Sequence, residues 1–113
     1  MVKMKVGDKN GTSQKKHWEL EDKKLLSLLM GRKGGKTTIK IIDTLLRKPC
    51  NANQLSDLIH VDYNTVTFHL KILLEHRYVE RIQFGKTSIF HPSDKLIKSY
   101  DEYLIIKDII EKE

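Results

Sequence analysis

One cysteine, two prolines and no long apolar run limit what these 113 residues can be. Cys50 cannot form an internal disulfide, nor build a thiolate-rich zinc site by itself. A reducing, cytoplasmic setting is expected. No stretch approaches the roughly 18 continuous apolar residues of a membrane span. Residues 1–11 lack an apolar run, so no secretory signal is expected there. The histidines (His17, His60, His69, His76 and His91) have no compact ligand spacing, so no metal is expected. No nucleophile–base pair or acidic pair stands out. A binding protein is expected, with no enzymatic activity and no cofactor. Acids are also in the minority: 15 against 21 Lys and Arg, giving a net charge of +6 and a pI near 9.4. That excess favours a polyanionic partner.

The length fits one domain. Met1 to Lys16 is polar, basic and glycine-containing, and reads as a flexible tail. Residues 17–113 read as a single domain. A first helix is expected over Trp18–Met30, with Glu19, Glu21 and Asp22 early and an apolar face from Leu25, Leu26, Leu28 and Leu29. It ends at Gly31. The basic loop Gly31–Lys36 follows. A second helix is expected over Thr38–Arg47 with Thr37 as its cap, stopped by Pro49. Asn51 and Gln54 form an asparagine version of a capping box. They open a third helix, Ala52–Ile59, that buries Leu55, Leu58 and Ile59. Asp62 caps a fourth, from Tyr63 to about His76. The segment Tyr78–Phe84, the turn Gly85-Lys86 and the segment Thr87–His91 make a hairpin. Ser93 or Asp94 caps a last helix, Lys95 to about Lys112. Two short strands cannot form a sheet of any size. The fold class is therefore mainly α with a two-stranded β-wing.

The third and fourth helices, joined by a short turn, form a helix-turn-helix over 52–76. At about 100° per residue the fourth helix has two faces. Val66, His69, Leu70 and Leu73 make a buried stripe. Asn64, Thr67, Phe68 and Lys71 make the opposite face. Asn pairs with adenine, Thr bonds bases or phosphates and touches thymine methyls, and Lys reaches guanine or phosphate. Phe68 has two readings: contact with thymine methyls, or packing against the wing. The hairpin (79–91) adds Arg81 and Lys86 for the backbone or the adjacent minor groove. The candidate DNA-contacting set is Tyr63, Asn64, Thr65, Thr67, Phe68, Lys71, Arg81 and Lys86.

The run Ile59-His60-Val61-Asp62-Tyr63-Asn64-Thr65-Val66-Thr67-Phe68-His69-Leu70-Lys71-Ile72-Leu73 resembles the ArsR-type winged-helix transcription regulators. Thr65, Val66, His69, Leu70, Lys71 and Leu73 match that pattern, and Thr67 replaces a serine. The resemblance covers about Thr37 to Pro92. It implies a homodimeric DNA-binding repressor or activator, paired through its first and last helices. His60 stands where glycine is usual, and Asp62 where serine is usual. The cysteine pair of the metal-sensing members is missing. Asn53, Gln54, Ser56 and Asp57 occupy that helix instead.

The last helix is apolar on too much of its circumference for one small core. Leu96, Ile97, Tyr100, Tyr103, Leu104, Ile105, Ile106, Ile109 and Ile110 cannot all face it. A two-fold interface with the first helix (18–30 against 95–112) would cover the excess. Such a homodimer sets two recognition helices about 34 Å apart and favours a near-palindromic site. The alternative is a winged-helix protein-interaction module of a larger complex. Gly31 to Thr37 imitates a phosphate-binding loop, but no strand precedes it and its first glycine is one residue too close. Cys50 reads either as a redox sensor or as an inert small residue.

Overall fold

The computed structural model describes residues 20–31 and 33–112. The expectations for Met1–Lys16, and for Trp18 and Glu19, lie outside the described residues. Within them the order is α1 (Lys23–Met30), α2 (Gly35–Arg47), α3 (Ala52–Ile59), α4 (Tyr63–Glu75), β1 (Val79–Phe84), β2 (Thr87–Pro92), α5 (Asp94–Lys98) and α6 (Tyr100–Glu111).

The sequence places Glu21 and Asp22 inside the first helix, but the structure starts that helix at Lys23. Asp22 is its cap, and its carboxylate accepts the Leu25 N–H at 3.0 Å. The N–H groups of Glu21 and Asp22 instead donate to the buried Glu102 carboxylate on α6, at 2.8 and 2.7 Å.

The second helix starts earlier than its sequence signal. Thr37 is not the cap; Gly34 is, at φ 89°, and Thr37 and Thr38 lie inside α2. The cause is steric. A Cβ on Gly35 would sit 2.0 Å from the Leu29 carbonyl oxygen. Only a glycine lets the chain reverse so tightly against the end of α1.

The α3 capping box forms in both directions. The Asn51 side chain accepts the Gln54 N–H, and the Gln54 side chain accepts the Asn51 N–H, each at 2.8 Å. Leu55 and Ile59 enter the core, but Leu58, expected inside, is 56% exposed. The eight-residue helix buries only the strip Ala52, Leu55 and Ile59, and Leu58 stays on its flank.

The hairpin pairs Arg81 with Phe90, Ile82 with Ile89 and Phe84 with Thr87. Phe90 also exchanges backbone hydrogen bonds with Cys50, at 2.8 and 3.2 Å. This single bridge ties the base of the wing to the linker before α3.

The expected last helix is two helices. It breaks at Ser99, whose N–H is shared between the Lys95 and Leu96 carbonyls at 3.2 and 3.0 Å. The Ser99 hydroxyl donates to Asp22 at 2.9 Å, which holds the break against the start of α1. Ser93 caps α5, accepting the Leu96 N–H.

The core is helical. Leu25, Leu29, Ile41, Ile42, Leu45, Leu55, Leu70, Leu73, Leu96 and Ile106 are fully buried. Each contributes about 1.5–3 kcal/mol relative to exposure. Two buried tyrosines cross-link the layers. The Tyr78 hydroxyl donates to Asp22 at 2.6 Å, and the Tyr103 hydroxyl to Asp43 at 2.6 Å. Lys107 pairs with the same Asp43 at 2.8 Å and joins α6 to α2. Burial and these carboxylate partners push both phenols well above their ordinary range. Both therefore stay neutral donors at physiological pH.

Candidate nucleic-acid interface

Two caps and one tight turn aim α4. At its start Asp62 accepts the Thr65 N–H at 3.0 Å and the Thr65 hydroxyl at 2.7 Å. Those bonds, the hydroxyl's first, hold the Asp62 carboxyl below its ordinary pKa. His60 closes α3 in the left-handed region, at φ 59° and ψ 45°. The Ser56 hydroxyl donates to the Val61 carbonyl at 2.6 Å and locks the turn. Midway along α4, His69 is buried, with Nδ1 3.3 Å from the Thr38 hydroxyl on α2. Its ring lies so close to Gly34 that a Cβ there would come within 2.8 Å of Cε1.

Val66, His69, Leu70 and Leu73 therefore face inward, as their spacing predicts. Tyr63, Asn64, Phe68 and Lys71 are exposed, and Thr65 and Thr67 are half-buried. A groove of about 670 Å³ runs between α4 and the wing. Tyr63, Thr67 and Lys71 line one wall, and Arg81 and Lys86 the other. Buried Leu70 and Phe90 form an apolar floor. Five of the eight sequence-expected residues thus meet in one concavity.

The other three lie outside it. Asn64 is exposed on α4, and its carbonyl accepts the Thr67 hydroxyl at 3.0 Å. Thr65 has its hydroxyl proton committed to Asp62. Phe68 is 58% exposed, with its ring edge-on to His69 at 5.3 Å between centroids.

The groove also takes in Asn51, Asn53 and Ser88. These polar side chains were not among the contacts expected from the sequence. The capping box at Asn51 was the available signal, because it fixes where the start of α3 points. Lys71, Arg81 and Lys86 supply positive charge there, opposed by Glu75 at the groove and Asp62 at the start of α4.

The family model described as "Bacterial regulatory protein, arsR family" matches residues 35–81. That span runs from the first residue of α2 into β1 and contains the whole helix-turn-helix. Residues 35–81 are an ArsR-family regulator domain. The ArsR-type domain supports a DNA-binding transcription regulator. Solved structures agree on the fold. Reduced HlyU from Vibrio cholerae N16961 is 20% identical with a TM-score of 0.58, covering 73% of this chain and 83% of HlyU. The multiple antibiotic resistance repressor MarR is 16% identical with a TM-score of 0.56, covering 80% and 70%. An ArsR family transcriptional regulator is 10% identical with a TM-score of 0.53, covering 82% of this chain and 99% of its own. The fold of the ArsR-type domain is thus a winged helix. No curated protein sequence matches the chain.

Two further features fall outside the interface. Cys50 is fully buried, its thiol donates to the Lys48 carbonyl at 3.4 Å, and burial raises its pKa. Little thiolate forms there, which favours the inert reading over a redox sensor. Among the described residues, no group of three or more His, Cys, Asp or Glu is placed to hold a metal ion, and no helix is long and apolar enough to cross a membrane.

Proposed function

We propose that the chain is a sequence-specific transcription regulator that binds double-stranded DNA in the cytoplasm as a homodimer on a near-palindromic site. One observation carries this: Tyr63, Thr67, Lys71, Arg81 and Lys86, from two separate elements, converge on one outward groove. Helix α4 enters the major groove, and Asn64 and Thr67 read base edges. Thr65 and Phe68 extend the contact along the same helix, Phe68 toward thymine methyls. Lys71, Arg81 and Lys86 hold phosphates.

The dimer follows from what the protomer leaves uncovered. Ile97, Tyr100, Leu104 and Met30 are 55%, 42%, 41% and 41% exposed on α5, α6 and α1. Large apolar side chains on the terminal helices suit a two-fold interface. The protein-interaction alternative draws on exposed Phe68, but the lysines and arginine of the groove favour a polyanion.

The test is duplex binding as a function of salt. Affinity should fall steeply as salt rises. Lys71→Ala and Lys86→Ala should each reduce the slope by about one and weaken all sequences alike. Asn64→Ala should relax sequence preference more than it lowers non-specific affinity. No binding to any duplex at low salt would leave the interaction-module reading.

A further inference from the structure

The outer face of the wing carries three apolar side chains, Ile82, Phe84 and Ile89, that the groove does not use. Ile82 stands opposite Ile89 and Phe84 opposite Thr87 across the hairpin. None of Ile82, Phe84 and Ile89 lines the groove. Phe84, at 62%, is the most exposed large hydrophobic side chain among the described residues, and Ile82 is 44% exposed. The phenyl sits at the tip, next to the two-residue turn Gly85-Lys86. Gly85 has φ 58°, and a Cβ there would meet nothing within 4 Å. The tip is narrow, and it is also braced. The Gln83 side chain donates to the Gly85 carbonyl at 2.9 Å, and the Ser88 hydroxyl donates to Gln83 at 2.7 Å.

Charge decides what such a tip suits. Residues 81–90 contain Arg81 and Lys86 and no acid. The neighbouring carboxylate on the outer face, Glu80, lies at the base of the wing, 3.8 Å from His91. A two-stranded blade with a cation at its apex and an exposed phenyl beside it matches a polyanion with apolar internal walls. The minor groove of a duplex is such a surface, with phosphates at its rim and sugars and base edges within. Apolar side chains driven into it partly unstack a base step and kink the helix. Pyrimidine–purine steps yield most readily.

We propose that Phe84 is a wedge which the wing tip inserts into the minor groove flanking the α4 site, so that the chain prefers flanks carrying a deformable pyrimidine–purine step. This rests on the DNA-binding reading above. It adds a specificity determinant that acts by bending DNA, without hydrogen bonds to bases.

The experiment uses a duplex selected by the full chain from a random pool. It is resynthesised with either a TA or an AA step where the wing falls. Affinity is measured at fixed salt, and bending by energy transfer between end labels. The wild-type chain should prefer the TA flank by about tenfold and bend it more. Phe84→Ala should lose both the preference and the extra bend while melting at the same temperature. Lys86→Ala should weaken both duplexes equally and keep their ratio. Retained preference and bend in Phe84→Ala would overturn the proposal. So would a variant that binds both duplexes like wild type but self-associates less without DNA, since Phe84 would then serve a protein contact. Failure of the wild-type chain to bind any duplex is a different result, and it removes the DNA reading itself.

Discussion

His60 holds a backbone conformation that L side chains adopt at a cost of about 1–2 kcal/mol. Glycine removes that strain but loses about 0.5–1 kcal/mol to the freedom of its unfolded chain. His60→Gly should therefore stabilise the fold by roughly 0.5 kcal/mol, read as a higher urea midpoint with an unchanged slope. Asp22 gives a pH-dependent counterpart. Burial raises its pKa, but hydrogen bonds from Tyr78, Leu25 and Ser99 and the Lys95 charge outweigh that and hold the carboxyl below its ordinary pKa of 3.8. A depressed folded pKa stabilises above the unfolded value and is lost as pH falls through the folded one. Wild type should thus exceed Asp22→Asn by about 1–2 kcal/mol at neutral pH, with the gap closing below about pH 4. Urea melts across that range check it. The caps at Asn51 and Asp62 were legible in the sequence because their partners lie three residues away. The bonds of Glu102 to Glu21 and Asp22 were not, because they span 81 and 80 residues and no local pattern marks them.

Helices α3 and α4 were readable nearly to the residue, since apolar spacing and caps agree there. The early start of α2 was not. Its determinant is the close approach of Gly35 to the Leu29 carbonyl, a contact between two elements. Gly35→Ala should therefore destabilise by more than about 2 kcal/mol, because backbone must move. Thermal melting reads this directly; a loss under about 0.5 kcal/mol would remove the steric account of the α1–α2 turn. The break at Ser99 was hidden for a similar reason. The run from Leu96 to Ile110 keeps helical periodicity on both sides of it, and the hydroxyl bond to Asp22 that stabilises the kink is tertiary.

Across the whole molecule, the apolar surplus of the terminal helices was visible in composition, and the structure leaves Ile97, Tyr100 and Leu104 uncovered. Leu104→Glu should convert a dimer into a folded monomer by light scattering. It should also weaken binding to a palindromic duplex at least about tenfold, since one protomer then grips one half-site. An unchanged mass would place the dimer interface elsewhere. The groove was half-legible. The α4 residues follow from one helix's period, whereas the meeting of Arg81 and Lys86 with Thr67 depends on how the wing folds back through the Cys50–Phe90 bridge. The most direct test of that meeting is amide and side-chain NMR on the full chain titrated with a selected duplex. The signals of Tyr63, Thr67, Lys71, Arg81 and Lys86 should shift together and saturate at one stoichiometry, with Leu58 unaffected. Shifts confined to other surfaces, with these five unmoved, would contradict the account.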